Sequence, residues 1–275
     1  MTTVPITKLA HDLQSGALAL TLAEIAEDAA RVILPFWRSG ALVETKADDS
    51  PVTQADRAAE ALILERLQAA YPGVQTVAEE AVAAGGAPES AESWFWLIDP
   101  LDGTKGFIRG GEAFTVNIAL IRDGYPVAGV VTAPATATTW RSDAPEGGAF
   151  RRQFGEAQEG EAHAGAEWRP IKVRDRPQEG MALLSHSVTD DEAARLAARH
   201  GCTRWQGTDS SLKFCLIAEG RFDAYPRSGP TSEWDTAAGQ AVLEAAGGRV
   251  LSDDGQRLRY GKSRFLNGPF VAMGG

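Results

Sequence analysis

In the second half of the chain, short apolar segments alternate with amphipathic segments that end at glycine, and this alternation restricts the possible folds strongly. The apolar segments predict strands over residues 181–184, 222–225 and 249–251. The segments between them predict helices over residues 190–200, 210–219 and 235–246. Strands that alternate with helices are typical of layered α/β proteins, so we predict that class for this half.

The first half mixes helical and strand patterns without regular alternation. Apolar residues three and four positions apart predict a helix over residues 15–38. A second helix is predicted to begin at Thr53, because Thr53 and Asp56 match a capping box. Strands are predicted over residues 74–78, 94–98, 114–121 and 127–132, the last two forming a hairpin. These patterns favour an α+β arrangement.

A polar stretch over residues 141–169, rich in Gly and Ala, separates the two halves. We place a domain boundary inside it and predict domains over residues 1–160 and 161–275. A chain of 275 residues is long enough for two ordinary domains.

The charge balance limits the partners of the chain. Lys and Arg number 27 against 37 Asp and Glu, a formal net charge of −10, which disfavours binding to a nucleic acid polymer. No apolar run approaches the roughly 18 residues of a membrane helix. Cys202 and Cys215 have neither metal-site nor disulfide-framework spacing, so we expect a cytoplasmic protein. Peripheral association with the inner membrane face stays open.

The sharpest local feature is the segment DPLDGT over residues 99–104, which follows a predicted buried strand. Pro100 is expected to end the strand, and Gly103 permits a tight turn before a helix. Asp99 and Asp102 could then converge on one point with the Leu101 carbonyl. Such hard oxygen ligands suit Mg²⁺, whereas the alternative is a turn whose aspartates only cap the backbone.

Other carboxylates also fall at the ends of predicted elements. Glu79-Glu80 ends a strand, Asp56 begins a helix and Asp235 opens another. Each has a structural alternative: a solvated strand edge for the glutamates, the capping box for Asp56 and a helix N-terminus for Asp235. Because active sites of α/β proteins lie at such ends, their joint placement favours one acidic site.

Together, these residues resemble the magnesium-dependent, lithium-sensitive phosphatases that include inositol monophosphatase and fructose-1,6-bisphosphatase. Residues 96–104 (WLIDPLDGT) look like the first family motif, and residues 233–239 (EWDTAAG) look like the second. Glu79-Glu80 stands at the expected place before the first motif. The resemblance implies the layered αβαβα sandwich of the inositol monophosphatase-like sugar phosphatase superfamily. It also implies a metal-binding N-terminal domain and a substrate-binding C-terminal domain.

Within this family the chain looks most like the bacterial 3′(2′),5′-bisphosphate nucleotidase branch. The similar stretches are residues 46–56 (KADDSPVTQAD), 103–109 (GTKGFIR), 114–121 (FTVNIALI), 210–215 (SSLKFC) and 225–227 (YPR). Ala78 departs from the commoner Ser or Gly, and residues 185–187 match the branch only in part. The branch implies hydrolysis of 3′-phosphoadenosine 5′-phosphate to AMP and phosphate, in sulfur assimilation and nucleotide recycling.

The resemblance also implies two or three Mg²⁺ ions as cofactors. The implied ligands are Glu79, Asp99 and the Leu101 carbonyl for one ion, and Asp99, Asp102 and Asp235 for a second. A third ion would lie near Glu79, with Asp56 holding one of its waters. Glu79 and Thr104 would orient and deprotonate the attacking water, without a phosphoenzyme.

The implied substrate contacts are Gly103, Thr104, Lys105, His186, Ser210, Lys213, Arg227 and Asp235. Lys213 and Arg227 would hold the second phosphate, with a hydrogen bond from Ser210. The alternatives are a helix N-cap at Ser210-Ser211 and an exposed helix face at Lys213. Trp205 would stack on adenine or belong to the core.

Two other functions stay open on sequence grounds. The same scaffold supports hydrolysis of inositol monophosphate or histidinol phosphate. A non-catalytic regulator that binds metal or nucleotide is the alternative from another class, although competent residues fill every ligand position. The small-molecule partner is expected to be a bisphosphorylated nucleotide, and a homodimer stays open as the assembly.

Overall fold

A computed structural model describes residues 3–39, 43–45, 51–143, 147–155 and 166–275, and these contain both helices and strands. The helices are α1 (Thr3–Ser15), α2 (Ala17–Ile33), α3 (Gln54–Ala70), α4 (Glu79–Ala81), α5 (Thr104–Ile108), α6 (Asp190–Arg199), α7 (Leu212–Ala218) and α8 (Ala237–Ala245). The strands of the first half are β1 (Val43–Thr45), β2 (Pro51–Thr53), β3 (Gln75–Ala78), β4 (Trp94–Asp102), β5 (Thr115–Arg122), β6 (Tyr125–Ala133), β7 (Thr138–Ser142) and β8 (Ala149–Gln153). They are followed by β9 (Arg169–Ile171), β10 (Gly180–Leu184), β11 (Cys202–Gly207), β12 (Ala224–Arg227), β13 (Thr231–Ser232), β14 (Arg249–Ser252), β15 (Leu266–Asn267) and β16 (Phe270–Met273).

Two larger sheets organise these strands. The first has seven strands in the order β3-β4-β5-β6-β7-β8-β9; β3 and β4 are parallel, and the other neighbours are antiparallel. The second has five strands in the order β11-β10-β12-β16-β14. In this sheet β11, β10 and β12 are parallel, whereas β16 is antiparallel to both of its neighbours. β1 pairs with β2, and β13 pairs with β15.

The helices cover the sheets and complete five layers. α2 and α3 pack on one face of the first sheet, where Trp96 and Ile98 of β4 enter their core. α7 and α8 lie between the sheets and pack against Phe95 and Leu97 from the other face of β4. α6 packs on the far face of the second sheet. The predicted αβαβα sandwich is confirmed, and burial on both faces explains why the first part of β4, residues 94–98, is continuously apolar.

The N-terminal helix prediction is wrong at both ends. Gly16 adopts a left-handed conformation (φ 79°) and separates α1, which the periodicity did not indicate, from α2. α2 ends at Ile33, and Leu34–Phe36 continues as a 3₁₀ turn that contains Pro35. Proline has no backbone N–H to donate, so it limits the helix where apolar periodicity alone would extend it.

The predicted domain division stays a prediction. Its boundary falls within residues 156–165, which lie outside the described residues. β9, at Arg169–Ile171, still pairs with β8 and therefore belongs to the first sheet. Residues 46–50 of the KADDS stretch also lie outside the described residues.

Gly239 permits the close contact between α8 and α7. A Cβ atom there would lie 2.4 Å from Cδ2 of Phe214, whose ring is held by Tyr225 and Phe270 at centroid distances of 5.3 and 6.0 Å. We expect Gly239→Ala to lower the free energy of unfolding by about 1–3 kcal/mol, since overpacking outweighs the better helix propensity of Ala. Urea unfolding measures this change. Gly268→Ala is the matched control, because a Cβ atom there would have no neighbour within 4 Å; equal stability of both variants would contradict the packing argument.

Candidate active site

A bulge in β4 brings Asp99 and Asp102 to the same face of the first sheet. Asp99 pairs with Asn117 of β5 and Asp102 pairs with Thr115, so three steps along β4 match two along β5. In a regular strand, residues three positions apart point to opposite faces, and one extra residue cancels this alternation. The prediction that Pro100 ends the strand is therefore wrong. The strand continues to Asp102, and the irregularity places both carboxylates on the side of α7 and α8.

Thr104 links this bulge to Asp56. Its hydroxyl lies 3.2 Å from Oδ1 of Asp56 and 3.0 Å from the Leu101 carbonyl oxygen. The predicted capping box is present, because Oδ2 of Asp56 accepts the Thr53 backbone N–H at 2.8 Å and the Ala55 N–H bonds to Thr53. Asp56 thus caps α3 with one oxygen and faces Thr104 with the other. Its role in the capping box therefore does not exclude the predicted role in holding a metal-bound water.

Glu79 and Glu80 lie where β3 passes into α4, as the sequence predicts. Glu60 of α3 fixes this turn, since its carboxylate accepts the Glu80 N–H at 2.8 Å and the Ala81 N–H at 2.9 Å. An acidic side chain at free N–H groups of a helix start is favourable. Glu79 is therefore held on a fixed backbone at the edge of the cleft described below.

Asp235 lies in the turn before α8. Its Oδ2 atom accepts the Ser232 N–H at 2.9 Å, and Thr236 occupies the N-cap position of the helix, which begins two residues later than predicted. Asp235 is therefore neither the N-cap nor a first-turn residue of α8, so the N-terminal alternative is wrong. The same turn directs Asp235 into the cleft shared with Asp102.

One cleft of about 730 Å³ collects most of the predicted residues. It is lined by Glu79, Asp102, Gly103, Thr104, Lys105, His186, Ser210, Lys213, Arg227 and Asp235. Asp56, Asp99 and Leu101 are buried beside it rather than in its lining. Its charged side chains include carboxylates from the sheet and helix ends and cations from α5, α7 and β12, so the cleft offers both signs of charge.

Burial controls the electrostatics at the acidic side. Removal from water raises the pKa of Asp99 well above its usual range, and the charges of Glu79, Asp102 and Asp235 raise it further. Burial likewise raises the pKa of Asp235, with Asp102 as the next cause. The pKa of Asp102 is also raised by burial, although Lys213 opposes this change. The carboxylates therefore repel one another in a poorly hydrated site.

These residues fit a divalent cation by their chemistry. Carboxylate and carbonyl oxygens are the ligands that Mg²⁺ prefers, and a cation would offset the repulsion described above. Across the described residues, no three Asp, Glu, His or Cys side chains already stand in a formed metal-binding geometry. One oxygen of each aspartate accepts a backbone N–H, that of Leu101 for Asp99, Ser211 for Asp102 and Ser232 for Asp235.

Lys213 supplies a positive charge deep in the cleft. Its side chain is only 4% exposed, so the alternative of an exposed helix face is wrong. Nζ donates to the carbonyl oxygens of Ser210 at 2.8 Å and Thr208 at 3.3 Å and lies 4.8 Å from the centre of the Tyr225 ring. Burial lowers the pKa of Lys213 to about 8. The third donor position of the ammonium group remains available to a ligand.

Arg227 and His186 also line the cleft. Arg227 donates to the carbonyl oxygens of Gly229 and Pro230, both at 3.3 Å. Nδ1 of His186 lies 3.0 Å from Oδ2 of Asp209, and both residues line the cleft. The predicted candidates are thus brought together in the cleft, and Asp209 joins them.

Ser210 and Gly103 meet at the narrow part of the site. Gly103 has φ 93°, and a Cβ there would lie 2.8 Å from the Ala113 carbonyl oxygen and 3.5 Å from Cβ of Ser210. Only glycine combines that conformation with so close an approach. The N-cap alternative is confirmed for Ser211, which occupies that position of α7, and not for Ser210. Ser210 itself adopts φ 57° and faces the cleft.

Trp205 is placed differently from both predictions. It lies on the edge strand β11, is 37% exposed and does not line the cleft. The sequence gives little signal for this strand, because most side chains of an edge strand with one covered face are exposed and polar. The sequence also predicts no role in this site for Asn117, Ser211, Asp209 or Glu60. The only available signal is that each is a hydrogen-bonding residue near a motif.

Comparisons with known proteins agree with this arrangement. The profile of the inositol monophosphatase family matches residues 14–272. The chain is 42% identical over 253 residues to the 3′(2′),5′-bisphosphate nucleotidase CysQ of Salmonella typhimurium, covering 90% of this chain and 96% of that protein. The crystal structure of CysQ from Bacteroides thetaiotaomicron gives a TM-score of 0.77 at 31% identity, covering 94% and 97% of the two chains. Inositol monophosphatase from Anabaena gives a TM-score of 0.69 at 27% identity, covering 94% and 90%.

Proposed function

The chain belongs to the inositol monophosphatase family, and on that premise we propose that it removes the 3′-phosphate of 3′-phosphoadenosine 5′-phosphate, giving AMP and inorganic phosphate. The proposal rests on one observation: a single cleft contains carboxylates for metal together with buried Lys213 and half-buried Arg227 for a second anion. The relative that is 42% identical bears the name of this activity.

The carboxylates would hold Mg²⁺ through the residues predicted from the family motifs. These are Glu79, Asp99, the Leu101 carbonyl, Asp102 and Asp235, for two or three ions. Bound Mg²⁺ neutralises charge on the phosphate and makes water a stronger nucleophile at neutral pH. The raised pKa values of Asp99 and Asp235 support this assignment, because a nearby cation favours the charged carboxylates that burial disfavours.

Glu79 and Thr104 are the candidates for handling the attacking water. Glu79 lines the cleft beside Thr104, and its backbone is fixed by Glu60. The Thr104 hydroxyl donates its proton to Asp56 or to the Leu101 carbonyl, so its oxygen is oriented and can accept a hydrogen bond from the attacking water. Glu79 can take the proton that the water loses.

Lys213 and Arg227 would bind the second phosphate. Two cations in a partly buried site bind an anion far better than exposed cations do, because water screens them less. Lys105 and His186 line the same cleft and are proposed to contact the substrate as well, with Ser210 and Gly103 forming its narrow wall. Asp235 would contact the substrate from the metal side.

The two predicted domains would divide these tasks. Residues 1–160 supply Glu79, Asp99 and Asp102, and residues 161–275 supply Lys213 and Arg227. Asp235 belongs to residues 161–275 but would bind metal together with carboxylates of residues 1–160, so the metal site would need both domains. In the described part of the chain, no helix has the length and apolarity to cross a membrane. Cytoplasmic location, peripheral membrane association and a homodimer remain predictions from the sequence.

A substrate panel tests the proposed function. We expect the highest kcat/KM with 3′-phosphoadenosine 5′-phosphate among that nucleotide, inositol 1-phosphate, histidinol phosphate and fructose 1,6-bisphosphate, and no phosphate release with EDTA. A preference for either monoester would favour the same-scaffold alternative, which leaves Lys213 and Arg227 unused. Absence of release at every Mg²⁺ concentration would favour the non-catalytic regulator.

Thr104→Ala tests the assignment of the water-orienting group. We expect kcat to fall about 10²-fold, at the lower end of the ~10²–10⁴-fold range of general acid–base groups, with KM for substrate little changed. Steady-state phosphate release measures both constants. Thr104→Ser keeps the hydroxyl and should retain most of the activity; equal losses in the two variants would show that the methyl group, not the hydroxyl, matters.

A further inference from the structure

Asn117 is a buried polar residue beside the proposed metal-site carboxylates, and although it lies in the family-like stretch over residues 114–121, the resemblance assigns it no role. It lies on β5 directly opposite Asp99 and is fully buried. Its Nδ2 atom donates to Oδ2 of Asp102 at 3.3 Å and to Oγ of Ser211 at 3.0 Å. Buried side-chain amides cost free energy unless they are hydrogen-bonded, so both contacts help to retain Asn117.

Ser211 joins the same network from the start of α7. Its backbone N–H donates to Oδ2 of Asp102 at 2.6 Å, and its hydroxyl donates to the Asp235 carbonyl oxygen at 2.6 Å. The side chain is 1% exposed. Ser211 therefore connects the carboxylate of one motif with the backbone of the other, although Asp102 ends β4 and Asp235 lies in the turn before α8.

The network acts on one oxygen of Asp102. Oδ2 accepts both described hydrogen bonds, from Asn117 and Ser211, so rotation about the carboxylate bond would break both. Because Asn117 and Ser211 are buried and Asp102 is only partly exposed, the lost bonds would not be replaced at low cost. Asp102 is thus held in one orientation, with Oδ1 outside these two bonds.

We propose that Asn117 and Ser211 are positioning residues that fix the Asp102 carboxylate for Mg²⁺, with Oδ1 as the coordinating atom. The proposal depends on the metal-holding part of the proposed function and not on the identity of the phosphate ester. Outer partners of this type commonly change metal affinity by about 10–100-fold when they are removed.

Isothermal titration of the purified protein with Mg²⁺ alone, without substrate, tests the proposal. We expect Asn117→Ala to weaken Mg²⁺ binding by about 10–100-fold. Ser211→Ala keeps its backbone N–H on Asp102 but loses the hydroxyl contacts, so a smaller weakening in the same direction is expected. Ser211→Ala also decides the question if Asn117→Ala does not fold. In phosphate release, both variants should need more Mg²⁺ for half-maximal activity and recover kcat as Mg²⁺ is raised.

Thr115→Val supplies the matched control. Thr115 lies on the same strand and face, is equally buried, and its hydroxyl is without a hydrogen-bond partner among the described residues. We expect this variant to bind Mg²⁺ like the wild type. Wild-type affinity, within about twofold, in every folded variant of Asn117 and Ser211 would overturn the proposal, as would an equal loss in Thr115→Val, because metal affinity would then not depend on the outer partners. Failure of the wild type to hydrolyse the bisphosphate would refute the substrate assignment but leave this metal-binding comparison unaffected.

Discussion

Asp99→Asn should lower phosphate release by a factor on the order of 10³ or more, since a catalytic metal contributes several kcal/mol and about 1.4 kcal/mol corresponds to tenfold. Asp99 is buried at the bulge of β4, and the charges of Glu79, Asp102 and Asp235 act on it. Asn has nearly the same shape and keeps an oxygen for the Leu101 N–H, which Asp99 accepts at 3.0 Å. The substitution therefore removes charge from the metal site without removing the backbone contact.

The fold should survive this change. Burial raises the pKa of Asp99 above its value in the unfolded chain, so the folded protein binds the proton more tightly. The protein therefore loses stability as pH rises from the pKa in the unfolded chain to the raised pKa in the folded protein. A neutral Asn does not have this cost. In EDTA at neutral pH, the thermal midpoint of Asp99→Asn should equal or exceed that of the wild type, whereas added Mg²⁺ should stabilise the wild type more.

The same outcome is expected for Asp102→Asn and Asp235→Asn, because burial also raises the pKa of both carboxyls. Phosphate release at saturating Mg²⁺ and circular dichroism melting measure the two effects. Asp253→Asn, an exposed position outside the cleft, is the control and should change neither. Extensive unfolding of all three site variants would contradict the assignment, since it would make these carboxylates structural.

Lys213→Met should separate the two kinds of substrate. A hydrogen bond from a charged group contributes about 1.5–3 kcal/mol, or roughly 10–150-fold, so kcat/KM for the bisphosphate should fall by that factor. A simple monoester has no second phosphate for Lys213, and its turnover should fall much less. Met is chosen because Lys213 is buried against the Tyr225 ring, where a truncation to Ala would leave a cavity.

Parallel kinetics with 3′-phosphoadenosine 5′-phosphate and inositol 1-phosphate measure this separation. Lys172→Met changes an exposed lysine outside the cleft and should leave both substrates unaffected. If Lys213→Met lost activity equally on both substrates, the nucleotide assignment would fail and a role in holding the Thr208 and Ser210 carbonyls would remain.

Short-range patterns in the sequence predict most of the elements that carry this site and place its acidic residues at their ends. The capping box at Thr53 and the buried strand β4 are confirmed, and so are the five layers that the family resemblance implies. The bulge at Pro100 could not be read from the motif, since it is defined by the register between β4 and β5. Pro100 suggests the end of a strand, but in the structure it lies in a bulge, where β4 has one extra residue and continues to Asp102.

The supporting residues could not be predicted for a similar reason. Ser211 lies 109 positions from Asp102 in the chain, and their contact exists only once α7 packs beside β4 and β5. Burial of Lys213 is likewise set by neighbours on β12 and by the loop before α7. α1 and β11 were missed because neither has an apolar pattern strong enough to stand apart from its surroundings.

Anomalous diffraction from a crystal of the wild-type protein soaked in Mn²⁺ would test the acidic site directly, because manganese occupies oxygen-rich Mg²⁺ sites and scatters anomalously. We predict at least two anomalous peaks between Glu79, Asp99, Asp102 and Asp235, with Asp99 in contact with both, and loss of these peaks in Asp99→Asn. A well-ordered crystal without a peak among these carboxylates, or with peaks only elsewhere on the surface, would contradict the account.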